Sequence, residues 1–411
     1  MQVSVKRVLS SPVVPMFAAF AFMSFSTAVA GPVLGLLHEE FRVTFASLGL
    51  ITGMQSLGRG LATLLAGRLA DRYPARVLVS AGGVLMMIGS ALVAVAPTFP
   101  VLVVGSAITG VSMAFVFTAG MTHLIRISVP AVRGRMIGLS MAGWGFGSLL
   151  APLAAGALAD EFGWRSIFLL AALVSVLATV VGWTVRSAPA RSSPANVQPA
   201  HRWALGLTWM LFPVVVLSAL TWGSGSTLMR YVLPLHGSEG ALLEPAEIGR
   251  WLSLFGALGF GVMLISGTVL DRLGRLPALL LAASSGVAGG LILLLPTGVG
   301  PFVLFGISTS LIGFSGPLIP VLVADRSAPA HVGRSMGVVQ FLTDMVNLAL
   351  PLLLGLLLDV SGFGAVGFYF IAALGFAAVI GARLVIKTLC MTAESGSAAA
   401  VVKSGPAPPV S

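Results

Sequence analysis

Charge is the scarcest commodity in this chain. Only 9% of its 411 residues are charged and 57% are hydrophobic, whereas a soluble globular chain carries about 25% charged residues. That shortage, with a mean hydropathy of +1.02, excludes a soluble globular domain. A single cysteine, Cys390, excludes an internal disulfide. It reads as an ordinary apolar residue or, at a membrane edge, as a palmitoylation site. The lysines are Lys6, Lys387 and Lys403, so there is no Walker lysine and no built-in ATP motor. Neither H-E-x-x-H nor G-x-S-x-G occurs, and five histidines are scattered without metal-ligand spacing. No enzyme, cofactor or metal site is expected. The net charge of +10 could suggest nucleic acid, but the basic residues stand singly between long apolar runs, which argues against a polyanionic partner.

Apolar runs long enough to cross a bilayer are what remains, about 20 residues each. Twelve can be placed, near 12–36, 45–68, 77–96, 100–124, 135–158, 165–186, 205–234, 246–269, 277–296, 300–323, 333–357 and 363–387. Ala28-Val29-Ala30 resembles a signal-peptidase site, yet the first run exceeds a signal core and reads as an uncleaved span. The expected architecture is all-α, with a six-helix half over 1–186, a cytoplasmic linker over 187–204, a second six-helix half over 205–389 and a disordered cytoplasmic tail over 390–411. Of the 23 Lys and Arg, 18 fall on the side of the termini and three (Arg42, Arg165, Arg250) on the other, with Arg59 and Arg230 inside spans. Eight of the 13 acids take the opposite side. By the positive-inside rule both termini lie in the cytoplasm of a plasma-membrane protein.

The chain repeats itself. Gly67-Arg68-Leu69-Ala70-Asp71-Arg72 recurs as Gly267-Thr268-Val269-Leu270-Asp271-Arg272, shifted by 200. Pro152, Gly156, Asp160 and Gly163 return as Pro351, Gly355, Asp359 and Gly362, shifted by 199. Two halves of equal topology are parallel repeats about an axis along the membrane normal, an arrangement whose binding site lies between the halves.

These motifs resemble the major facilitator superfamily over essentially the whole spanned length. The loop after the second span is similar to that family's G-x-L-A-D-R-x-G-R-R motif, departing from it at Pro74 and Ala75, while Asp271-Arg272-Leu273-Gly274-Arg275 keeps both positions. Gly163-Trp164-Arg165-Ser166-Ile167-Phe168 is similar to the start of the family's sixth span. Gly147, Pro152 and Gly156, with Gly138, sit at the spacing of a fifth-span antiporter motif, though Ala151 and Ala155 replace two of its glycines. They read equally as a kinked, tightly packed helix. The arginine that proton-coupled exporters of the family carry in the fourth span is Ser106 here. The resemblance implies a conformational latch. Asp71 and Asp271 would face helix N-termini of the opposite half when the cytoplasmic side is closed, a contact of about 0.3–1 kcal/mol. Arg72, Arg272 and Arg275 accompany them, and Gly67 and Gly267 permit close approach.

Polar groups inside spans should face a cavity or the bundle interior. They concentrate in spans 2, 4, 7, 10 and 11, giving Gln55, Thr118, Trp144, Trp222, Arg230, Ser308, Gln340 and Asn347 as cavity candidates. Arg230 is expected near the outer mouth, either snorkelling or meeting anionic groups. Arg59 and Asp344 have opposite charge and similar depth, roughly 12–14 Å from the cytoplasmic end. They lie on spans that the resemblance makes neighbours. They are expected to pair, to hold the cytoplasmic side closed and to serve in coupling, with Asp344 as proton carrier.

The expected function is secondary transport by alternating access, as a proton-linked exporter of small amphipathic compounds acting as a monomer in the lipid bilayer. The alternatives are a facilitator or importer of a small organic metabolite and, in another class, a transport-like membrane sensor.

Overall fold

The computed structural model describes residues 13–127, 130–185, 212–315, 319, 322–323 and 332–403. All regular structure among them is helical. The first span runs Val13–Ala28, breaks at the 3-10 turn Gly31–Val33 and continues as Leu34–Phe41. Pro32 at the break has no N–H to continue the ladder. Span 2, Phe45–Arg72, starts where the Thr44 hydroxyl accepts from Ser47 N at 3.2 Å, and it stops short of Pro74. Spans 3 and 4 are Ala75–Ala94 and Phe99–Ile127. Spans 5 and 6 share Pro130–Thr184, broken at Gly163, where φ is 72°. Spans 11 and 12 share Val332–Lys403, broken in the same way at Gly362, where φ is 69°. The left-handed conformation favours glycine, and the two sit at corresponding positions of the repeat.

Span 7, Phe212–Gly240, is the irregular one. It carries three π-helical stretches, Ala219–Gly223, Leu228–Val232 and His236–Gly240. Spans 8 and 9 are Pro245–Leu273 and Arg275–Ile292, separated by Gly274 at φ 90°. Span 10 is Val299–Leu311 with a 3-10 extension, Ile312–Ser315.

Eight of the described helices are long and apolar enough to cross a membrane. Two of these, Leu139–Thr184 and Val338–Arg383, have 46 residues each and hold two crossings apiece. Span 2 is long enough but carries Arg59, Arg68, Asp71 and Arg72. Span 10 is shorter, and its continuation lies outside the described residues, as does the linker 187–204. The last helix runs to Lys403, into the tail 390–411 expected to be disordered, and 404–411 lie outside the described residues. Ala393 and Ala398 to Ala400 are strong helix formers and extend it.

The bundle has two ends. The one bearing most of the Lys and Arg is called the basic end, and the opposite one the far end. The main hydrophobic core lies toward the far end and draws on both halves, from Leu34, Leu37 and Leu48 to Tyr231, Phe302 and Leu354. Toward the basic end the halves keep separate cores. One is built from Met16, Phe20 and Val79, the other from Val214, Leu279 and Val339. Among the described residues, the core shared by both halves is therefore at the far end.

Candidate functional site

Two seams join the halves: span 2 against span 11, and span 5 against span 8. Along the first, small residues let backbones touch. A methyl at Gly49 would lie 2.6 Å from Pro351 O, and one at Gly53 2.7 Å from Leu348 O. The far end of this seam is capped, with Phe45 N and Ala46 N donating to Asp359 Oδ1 and Oδ2 at 2.8 and 3.0 Å. Both are free N–H groups of span 2's first turn, where a carboxylate is favoured. The Tyr231 hydroxyl donates to Phe45 O beside them. The second seam repeats the geometry with other groups. Gly249 packs on Pro152 O, Gly156 on Pro245 O, and Ser253 Oγ donates to Leu149 O at 2.7 Å.

The first seam ends inward on an ion pair. Arg59 Nη2 pairs with Asp344 Oδ1, Arg59 Nε donates to Asp344 Oδ2 at 3.2 Å, and Gln340 Nε2 donates to Asp344 Oδ1 at 3.2 Å. The Asp344 side chain is fully buried and that of Arg59 is 22% exposed. Two-pronged contact uses the planar guanidinium fork. The structure brings the two charges together. Arg59 is 13 residues from the end of span 2 at Arg72, about 20 Å from it, because the helix overruns its apolar stretch. The pair also forms while the cores at the basic end are separate. It is the inner rung of the seam capped by Asp359.

Between the seams lies a cavity of about 210 Å³ lined by both halves. Ser26, Thr27, Thr52, Gln55, Ser106 and Thr109 face it from one half, and Met229, Arg230, Leu252 and Gly256 from the other. Pro152 and Ser148 also line it. Proline at 152 cannot donate to the Ser148 carbonyl four residues earlier, which opens the helix at that point.

Of the expected cavity residues, Gln55 and Arg230 line this space. Arg230 shares the lining with Gln55, which is ten residues into span 2. The others are not in the lining of this space. Trp144 packs edge-on to Phe117 at 5.8 Å in the first half's own core. Ser308 donates to Ser285 O of span 9. Gln340 is held by Asp344. Asn347 is buried close to Gly223, Trp222 is exposed, and Thr118 is half-buried outside the cavity lining. Gly147 packs against Ala21 of span 1, so that member of the fifth-span motif serves helix contact. Gly67 meets nothing within 4 Å among the described residues. Arg72 and Arg272 are exposed. The side chains of Asp71 and Asp271 and the surroundings of Gly267 are outside what the structure describes. Sequence reasoning missed Asp359, Tyr231 and Ser90; the repeat of Asp160 at Asp359 and the Gly49-x-x-x-Gly53 spacing were the available signals.

Comparison with known proteins gives the same picture. The profile of the Major Facilitator Superfamily matches residues 16–343. The Fosmidomycin resistance protein of Escherichia coli (strain K12) is 26% identical over 323 residues, covering 74% of this chain and 75% of the relative. The Quinolone resistance protein NorB of Staphylococcus aureus is 29% identical over 147 residues, 36% of this chain and 32% of the relative. Among solved structures, a D-xylose-proton symporter superposes with a TM-score of 0.75 at 16% identity, covering 92% of this chain and 98% of that one.

Proposed function

Since the chain belongs to the Major Facilitator Superfamily, a family of membrane transporters, we propose that it exports small amphipathic compounds by alternating access, driven by protons. The observation that carries this reading is the buried Arg59–Asp344 pair at the floor of the seam beside a cavity shared by both halves. An ionisable residue within a span costs about 2.5–3.5 kcal/mol on insertion scales and marks ion or substrate pathways. Protonating Asp344 removes its charge, frees Arg59 and loosens the seam. The far end can then part while the basic end closes. The resistance named in two relatives supports the outward direction, and the proton named in the symporter supports the coupling ion.

The same reading puts the basic end in the cytoplasm of a plasma-membrane protein, with both termini inside and one chain as the working unit. Asp71 and Asp271 then act as the latch of the opposite state, in which the basic end closes. The test is flux in proteoliposomes with fosmidomycin and a quinolone as probes, with and without an imposed pH gradient. Movement against the probe's own gradient when protons run the other way is expected. Equal flux with and without the gradient would eliminate proton coupling, and no flux of either probe would eliminate export of these compounds.

A further inference from the structure

We propose that the cavity takes a small organic anion, whose carboxylate or phosphonate group binds the guanidinium of Arg230. The inference rests on the reading of this cavity as the substrate site and adds the charge of what enters it.

The argument is one of unmatched donors. Arg230 lines the cavity and has no hydrogen-bond or ion-pair partner among the described residues. A guanidinium offers five N–H donors and cannot give up its charge. In a membrane interior such a group is costly unless something answers it. No acid lines the cavity. The carboxylate of Asp344 is taken by Arg59 and Gln340.

The cavity's hydroxyls do not alter the balance. Thr27, Thr52, Ser106 and Thr109 each donate to a carbonyl of their own helix, at 3.1, 3.2, 3.0 and 2.7 Å. Their hydrogens are used within their own helices, and Gln55 Nε2 donates to Thr109 Oγ1 at 3.2 Å. Ser90 is the exception. Its Oγ is buried, lines the cavity and has no partner, so it provides one more donor. The site thus presents a fork of donors, a fixed positive charge and an apolar wall that includes Phe168 and Leu252. A compound with one anionic acceptor head and a compact apolar body answers all three. A cation would meet uncompensated repulsion, and a neutral compound would leave the arginine unanswered.

The experiment uses the full chain in detergent with three probes of similar size: benzoate, phenylphosphonate and the neutral benzamide. Titration followed by thermal stability should show at least one anion binding at least about tenfold more tightly than benzamide. Arg230→Gln should weaken that anion by about tenfold to a hundredfold, as expected for a lost charge-assisted hydrogen bond, and leave benzamide unchanged. Arg230→Lys should recover part of the loss. Benzamide binding as tightly as the anions, anion binding unaltered in Arg230→Gln, or no anion binding to the wild type would each overturn the proposal. Should Arg230→Gln not fold, Ser106→Cys in a Cys390→Ser background gives a second measure. Phenylphosphonate should slow maleimide labelling of the new thiol and benzamide should not; equal rates with and without phenylphosphonate would overturn the proposal. Anion binding without flux would sink the transport reading and leave this one standing.

Discussion

The two seams occupy equivalent places in the repeat and are held by different physics. On the first, Arg59 meets Asp344 and Asp359 caps Phe45 and Ala46. On the second, the residues corresponding to Arg59 and Asp344 are Gly259 and Gly145, and the ring of Phe260 fills the space against Gly145. The counterparts of Phe45 and Asp359 are Pro245 and Asp160, and proline has no N–H to give. One seam carries an ion pair and a carboxylate cap, the other close backbone packing, an aromatic ring and a neutral hydrogen bond. A protein that must open along both can therefore be switched chemically along only one. A proton acts on a carboxylate and not on a phenyl ring.

The sharpest way to break this comparison is to remove the charges. Asp344→Asn and Arg59→Gln each strand the opposite group and should destabilise the far-end-closed form by about 3–5 kcal/mol. The double variant should recover much of that. Thermal unfolding of the purified chain measures it, and two single variants that unfold like the wild type would remove the ionic seam from the argument. On the steric seam Phe260→Ala should cost less, about 1–2 kcal/mol, because the half-buried ring yields only part of the 1.5–3 kcal/mol of full burial.

Next in size are the small residues. Gly49→Ala puts a methyl 2.6 Å from the Pro351 carbonyl, where only backbone can yield, and should cost about 1–3 kcal/mol. Gly67→Ala meets nothing and should stabilise by up to about 1 kcal/mol through helix propensity. If the two variants shift the melting temperature alike, the tight packing of the far end is not what holds it.

The caps should differ as well. Asp359→Ala removes both acceptors from the start of span 2 and should cost about 0.5–2 kcal/mol. Asp160→Ala should cost close to nothing, and an equal loss at both sites would show that capping is not what distinguishes the seams. The smallest effect is expected at Glu40, which pairs with Arg165 at 2.7 Å with side chains 38% and 45% exposed. Glu40→Gln should lower stability by about 0.2–1 kcal/mol, and added salt should erase the difference.

How much of this could be read in the sequence follows from how rare each signal is. Charges inside spans are few, so Arg59 and Asp344 announce themselves, and the repeat fixes the helix order around them. Gly163 and Gly362 likewise mark both breaks. The cavity wall is less legible. Serine and threonine occur throughout the spans and mostly bond to their own helix, so nothing local separates Ser90, which lines the cavity unpartnered, from Ser308, which is spent on span 9. The π-helical stretches of span 7 carry no composition signal. The end of span 2 is also less legible, because hydropathy falls off near Gly67 whereas the helix continues into its charged loop to Arg72.

Arg59 and Asp344 are 285 residues apart in the chain. At roughly 5–20 residues per second of synthesis, the arginine is made on the order of tens of seconds before its carboxylate exists. Until then span 2 carries an unpaired cation that costs about 2.5–3.5 kcal/mol on insertion scales. It needs water, lipid headgroups or the insertion machinery to shelter its charge until the eleventh span arrives. The same contact that joins the seam makes the first half a hostage of the second during biogenesis, and a truncated transcript ending before residue 344 would encode a half-protein with an orphaned cation in the membrane.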